Sequence, residues 1–168
     1  MRFLSLAIVL VPLAFAAPAC SSNNDTSSGS ACKVYDTPSS FNATTPVQSF
    51  KTDVVPIFSA CAFSSCHGNE SGTNQADLYL GSDPARIYTN LVGHASTQYA
   101  QMNRIVASDA KNSYLMHKID GDACTLPGCS DKCGYTMPDD APVQDAQLIS
   151  VAQRDTIRRW ILQGAQNN

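Results

Sequence analysis

The sequence has no run of basic residues and few charged residues of either sign. Asp, Glu, Lys and Arg make up 15% of its 168 residues, and the formal net charge is −3. Proteins that bind nucleic acid carry clustered positive charge, because the bound phosphates must be neutralised. The composition therefore argues against a nucleic-acid partner. The sequence also contains no internal repeat and no sign of a second domain.

No apolar run is long enough to cross a membrane. The main run covers residues 3–16, and a membrane-spanning helix needs about 20 apolar residues. Arg2 precedes this run and small residues follow it up to Cys20, as in a secretory signal peptide. We therefore expect residues 1–19 to be a signal peptide. The alternative to cleavage before Cys20 is ordinary secretion, with Ala14-Phe15-Ala16 as the cleavage signal.

A cysteine directly after a signal peptide is typical of a bacterial lipobox, in which the thiol carries lipid. The sequence has seven cysteines, so lipid on Cys20 would leave six, an even number. Six bonding thiols suit an oxidising compartment, and we expect a membrane-anchored lipoprotein that faces the periplasm or the cell surface. Residues 20–44 are expected to form the lipidated end and a flexible tether, since residues 21–30 contain no apolar side chain. The folded domain would then be residues 45–168.

Strand patterns are almost absent from the expected domain, whereas helix signals are frequent. A capping residue opens each of four candidate helices, and a proline follows in the first turn of two of them. These helices begin at Asp53, Asp83, Ser113 and Ser150. Residues 76–80 alternate apolar and polar side chains, but they are few enough to be an extended loop. The fold class is therefore mainly α, with short helices and long loops.

The last helix has the clearest pattern. Ser150 and Gln153 have the spacing of a capping box. One apolar stripe contains Ile157, Trp160 and Ile161, and the basic residues Arg154, Arg158 and Arg159 lie off that stripe. We expect the stripe to face the core.

The residues that are most informative about a cofactor are 61–68, which read Cys-Ala-Phe-Ser-Ser-Cys-His-Gly. In c-type haem attachment two thiols bond the porphyrin, and the histidine after the second cysteine ligates the iron. Cys66 and His67 have this order. Cys61 would supply the other thiol, with four residues between the cysteines where two are usual. The alternative is a disulfide between Cys61 and Cys66, with His67 on the surface.

A haem iron in an electron carrier needs a second axial ligand, and a methionine thioether is the usual partner of histidine. Met137 is the main candidate, because Pro138 follows it and stiffens the loop that would hold its sulfur. The other candidates are two methionines, more typical of packing, and two histidines, more typical of exposed or hydrogen-bonded positions. These four residues are Met102, Met116, His94 and His117.

Three cysteines lie just before Met137, in residues 124–133. Their spacing does not match the paired cysteines of zinc sites. With Cys32, they make four thiols that can close two disulfides in three ways; these thiols belong to Cys32, Cys124, Cys129 and Cys133. We expect the disulfides to fix the loop that carries Met137, because a small domain has little core there.

These features together resemble the small class I cytochrome c domains, especially those of exported bacterial proteins. The resembling segments span most of the expected domain and are residues 53–58, 61–68, 112–119, 137–138 and 157–165. The resemblance implies a mainly α domain whose first and last helices cross, with Trp160 packed on Phe58.

The resemblance also implies a cofactor and its ligands. Cys61 and Cys66 would carry haem c through thioethers, with His67 as proximal ligand and Met137 as distal ligand. The protein would be a monohaem electron carrier, not an enzyme, that exchanges electrons with a redox partner protein. Two other functions are compatible with the residues. One is a haem-free surface lipoprotein, stapled by disulfides, that acts as a binding or structural module. The other is a haem enzyme such as a peroxidase, which would need an open iron face.

Overall fold

The structure is a computed structural model that describes residues 34–129, 133, 136–138 and 149–168. Over these residues the chain is mainly helical, and its β structure is limited to isolated bridges. The prediction of a mainly α fold is confirmed at this level. In the same residues, no helix is long and apolar enough to span a membrane. The expected signal peptide, Cys20 and Cys32 lie outside the described residues.

Three α-helices form where local signals predict them. They are α1 (Pro84–Leu91), α2 (Tyr114–Asp120) and α3 (Val151–Leu162). Asp83 caps α1 by accepting two backbone N–H groups, and the capping box of Ser150 and Gln153 opens α3. Gly121 ends α2 in the left-handed conformation, with a φ of 79°. All three helix predictions are confirmed.

The first helical segment differs from the expectation of a single helix capped by Asp53. A π-helical turn covers Phe50–Val54 and a 3-10 helix covers Val55–Cys61. The cap is Ser49, whose backbone N–H in turn donates to Asp53 Oδ2 over 2.7 Å. Pro56 has no N–H, so an α-helical bond to the preceding turn cannot form there and the hydrogen-bond pattern changes. The segment still ends at Cys61.

The core joins this first segment to α1 and α3 through aromatic side chains. Trp160 stacks on Phe50 with 5.0 Å between ring centroids, and Tyr88 of α1 meets both rings edge-on. The expected partner of Trp160 was Phe58, which is buried in the same core. The segment begins at Phe50, about one turn before Asp53, and this extra turn supplies the ring on which Trp160 stacks.

A buried ion-pair cluster joins α2 to α3. Asp120 accepts hydrogen bonds from Arg158 over 2.8 and 2.9 Å and from Arg154 over 3.4 Å. All three side chains are at most 8% exposed. The Tyr35 ring lies against both guanidinium groups. Arg154 and Arg158 lie off the apolar stripe of α3, yet they are buried because α2 supplies a counter-charge.

The residues before the expected domain also contact α3. Arg159 Nε donates to the carbonyl of Asn42 over 2.7 Å, and Gln163 Nε2 donates to the carbonyl of Ala43 over 3.2 Å. Tyr35 N–H donates to Asp122 Oδ2 over 2.9 Å. Contacts with the helices therefore begin before residue 45.

Candidate functional site

His67 is buried, and its orientation is fixed by a short backbone segment. Its Nδ1 lies 3.1 Å from the Leu78 carbonyl oxygen, and its own carbonyl accepts the Leu80 N–H over 2.7 Å. With the hydrogen on Nδ1 donated to Leu78, the Nε2 lone pair can bind a ligand. Burial lowers the pKa of His67 below its ordinary value, and hydrogen bonds to the Leu78 and Gln75 backbone oppose this shift. The ring is therefore held in the neutral form that ligates metals.

The two cysteines of the motif lie at the ends of a compact loop. The N–H groups of Cys66 and Gly68 both donate to the Phe63 carbonyl over 2.9 Å. A Cβ at residue 68 would overlap the Ala62 carbonyl oxygen, so this turn needs glycine. The loop therefore accommodates all four residues between Cys61 and Cys66 while His67 stays buried.

The sulfur atoms of Cys61 and Cys66 are in different chemical states. Cys61 is free, and its burial raises the pKa to about 11, so the thiol is protonated at neutral pH. Cys66 is disulfide-bonded. The alternative bond between Cys61 and Cys66 is not present.

Met137 approaches His67 from a loop held on α2. Its backbone N–H donates to the Lys118 carbonyl over 2.9 Å, and its side chain packs against the main core. The neighbouring Thr136 hydroxyl is buried without a hydrogen-bond partner among the described residues. A buried hydroxyl without a hydrogen-bond partner is a group to which a bound molecule can form a hydrogen bond.

Two cavities meet at His67 and Met137. Their cavity volumes are about 40 Å³ and about 30 Å³. Four residues line both cavities: His67, Leu78, Leu115 and Met137. An imidazole and a thioether, separated by 70 residues of sequence, therefore line the same two cavities.

The two cavities differ in polarity. The first is lined by the buried cations Arg104 and Lys118 together with polar side chains, namely Ser96, Gln98 and Tyr114. Arg104 is held by the carbonyl oxygens of Asn90 and Ala76, over 2.9 and 3.0 Å. The second cavity is apolar apart from Cys61 and His67; its aliphatic and aromatic lining includes Ile57, Phe58, Leu80, Ile119 and Ile149. The first cavity is thus the cationic one, and the second is apolar with one thiol.

The other candidate ligands lie elsewhere. Met116 is buried in the main core, and Met102 packs in a second, smaller cluster. His94 is exposed, and both ring nitrogens of His117 are hydrogen-bonded, one to Asp122 and one to a backbone carbonyl. None of these four lines either cavity. Of the predicted distal ligands, the structure brings Met137 to His67.

The cysteine-rich segment before Met137 forms disulfides. Cys129 and Cys133 are bonded to each other, with their Cα atoms 5.2 Å apart, and Cys124 is also disulfide-bonded. Over the part of the chain that the structure describes, no group of three or more His, Cys, Asp or Glu side chains could hold a metal ion. The preference for disulfides over a zinc site agrees with this geometry.

Five polar residues that line the first cavity were not predicted from the sequence: Ser96, Gln98, Arg104, Tyr114 and Lys118. A signal existed for Lys118, because it follows Tyr114 by four residues and Leu115 by three, on the apolar face of a short helix. Arg104 and the Leu78 carbonyl have no local signature, since neither their burial nor their partners follow from neighbouring residues.

Comparison with known proteins does not indicate a function for this site. The function is therefore inferred from His67, Met137 and the two cavities. No family model, no curated protein and no solved structure matches this chain.

Proposed function

We propose that this chain is a monohaem c-type cytochrome that carries one electron at a time in the periplasm or at the cell surface. The observation that carries the proposal is that His67 and Met137 line both of the two adjoining cavities. Histidine with methionine is the axial ligand pair of cytochromes c, and the thioether raises the reduction potential. Bound haem supplies an iron that alternates between Fe(II) and Fe(III).

The polarity of the cavities supports haem over a uniformly apolar ligand. The two vinyl groups and the two carboxylates of haem project from different edges of the ring. Cys61 lies in the apolar cavity, where a thioether would form, while Arg104 and Lys118 lie in the cationic one. Opposite charges attract more strongly where burial lowers the local dielectric, so these two side chains would hold the carboxylates.

Covalent attachment would use the Cys61 and Cys66 thiols. Each S–H adds across a vinyl double bond. The sulfur forms a covalent bond to one carbon and the hydrogen is added to the other, so no oxidant is needed. Since Cys66 is disulfide-bonded, a dithiol reductant must first supply two electrons to that bond. The Cys61 thiol is already free.

The chain's own residues then position the site. Leu78 orients His67 through its carbonyl, and the main core packs against the Met137 side chain. The proposed activity transforms no substrate, so it requires a redox partner protein. Attachment to the membrane through lipid on Cys20 remains part of the proposal from the sequence.

Expression with a cytochrome c maturation system tests the proposal. The expected result is sharp absorption bands in the reduced state and haem that stays with the protein through acid–acetone extraction. Cys66→Ser should abolish covalent haem. Cys129→Ser removes a disulfide outside the motif and is the matched control, which should keep its haem. Equal loss of haem from both variants would contradict the assignment.

A haem-free lipoprotein stapled by disulfides is the second candidate function. The disulfide at Cys66 favours it, because that sulfur cannot also bond a porphyrin. The same expression experiment separates the two candidates. A chain that takes up no haem after reduction and maturation, and that keeps the Cys66 disulfide, would be a structural or binding module.

A further inference from the structure

Two buried donors on α2 meet one carbonyl oxygen of the loop that carries Met137. Lys118 Nζ donates to the Cys133 carbonyl over 2.6 Å, and Tyr114 OH donates to the same oxygen over 3.1 Å. Residues four apart lie on the same face of a helix, and a carbonyl oxygen has two lone pairs, so both bonds can exist together. Both side chains are 4% exposed, so little water competes for the acceptor.

The other end of this loop is held on the same helix. Met137 N–H donates to the Lys118 carbonyl over 2.9 Å. Cys133 is fixed a second time, by its disulfide to Cys129. Residues 133 and 137 are thus attached to one turn of α2, and that turn contributes Tyr114, Leu115 and Lys118 to the cationic cavity.

We propose that Tyr114 and Lys118 are positioning residues, which place Met137 beside His67 by holding the Cys133 carbonyl. An ammonium group is costly to bury, and the short bond to a carbonyl offsets part of that cost. Burial also raises the pKa of Tyr114 above its ordinary value, so its hydroxyl stays a donor. The inference rests on the proposed function only where Met137 is taken as the iron ligand; the loop attachment itself exists without haem.

Hydrogen exchange in the haem-free full-length chain tests the attachment. Tyr114→Phe removes one of the two donors to Cys133. Loss of a hydrogen bond of about 1 kcal/mol corresponds to a roughly fivefold loss of protection, and we expect this loss at the Met137 amide. Tyr99→Phe is the matched control. Tyr99 stacks on Tyr114 at 6.0 Å, but its hydroxyl bonds Pro127 instead of Cys133, so protection at Met137 should not change.

The haem-loaded protein tests the consequence for the ligand. Tyr114→Phe should weaken the near-infrared sulfur-to-iron band while covalent haem is retained, because it removes a donor to Cys133 and adds no sulfur. Tyr99→Phe, whose hydroxyl bonds Pro127, should keep the band. If the hydrogen-exchange protection of the Met137 amide and the near-infrared band are the same as in the Tyr99→Phe control, the inference is overturned. If the wild type binds no haem, the proposed function fails, and hydrogen exchange alone decides whether the attachment exists.

Discussion

Replacing Asp120 with asparagine should destabilise the fold more than any surface substitution. Asp120 is 4% exposed and accepts from two arginines that are each 8% exposed. The amide has nearly the shape of the carboxylate but no charge, so Arg154 and Arg158 would remain buried without their counter-charge. Removal of one partner from a buried pair usually costs about 3–5 kcal/mol.

That free energy converts to a large change in melting temperature. For a domain between about 100 and 150 residues, 1 kcal/mol corresponds to about 4 °C. Asp120→Asn should therefore lower Tm by about 12–20 °C and shift the urea midpoint in the same direction. Urea is the suitable denaturant, because guanidinium chloride would screen the charges under test.

The matched control is the ion pair of Glu70 and Arg86. Its charged atoms are 3.6 Å apart, and its side chains are 54% and 41% exposed. Arg86→Gln should lower Tm by much less than Asp120→Asn does, because exposed ion pairs contribute little and the other contacts of Arg86, with the Glu70 carbonyl and the Tyr79 ring, belong to a side chain that is 41% exposed. An Asp120→Asn variant whose Tm falls by less than about 4 °C would refute the view that this cluster holds α2 on α3.

Three further predictions concern a disulfide, a lipid and a histidine. Cys129→Ser opens a loop of five residues to Cys133, so the free energy of unfolding should fall by about 2 kcal/mol; an unchanged urea midpoint would be the contrary result. Cys20→Ala should release the protein from the membrane fraction of growing cells, and unchanged fractionation would rule out lipidation. The Asp122 carboxylate raises the pKa of His117 above its ordinary value of 6.5, so the stabilisation from the protonated ring is complete below about pH 6.5 and is lost as pH rises through the folded pKa. His117→Gln should remove this pH dependence, measured as Tm between pH 5 and pH 9.

The three α-helices could be predicted because their signals are local. The pair Asp83 and Pro84 starts α1, Gly121 ends α2, and the capping box of Ser150 opens α3. The change from π to 3-10 geometry before Cys61 was not predictable in the same way. Pro56 marks the position where the pattern changes, but the sequence does not say which irregular helix forms on each side.

Burial of charge could not be predicted, because it depends on distant partners. Arg154 and Arg158 read as solvent-facing residues of an amphipathic helix until Asp120, more than 30 residues away, is placed against them. Trp160 was assigned the wrong aromatic partner for the same reason. Its stacking on Phe50 depends on how the first segment crosses α3.

In the candidate site, too, some residues have local sequence signals and others are recognised only through distant contacts. His67 and Met137 could be predicted, since imidazole and thioether are rare, chemically distinctive groups next to informative neighbours. The Leu78 carbonyl that orients His67 could not, because every residue has a carbonyl oxygen. Arg104 and Lys118 become visible as parts of the site only when the cavities are formed.

The near-infrared spectrum of the oxidised, haem-loaded protein tests the central claim most directly, because it reports whether sulfur and iron are bonded. The wild type should show the weak sulfur-to-iron band, and Met137→His should abolish it and lower the reduction potential. Met116→Leu, in the main core, and Met102→Leu, in the second cluster, should keep the band, since such exchanges conserve packing. A band that persists in Met137→His, or that disappears in either leucine variant, would contradict the pairing of His67 with Met137.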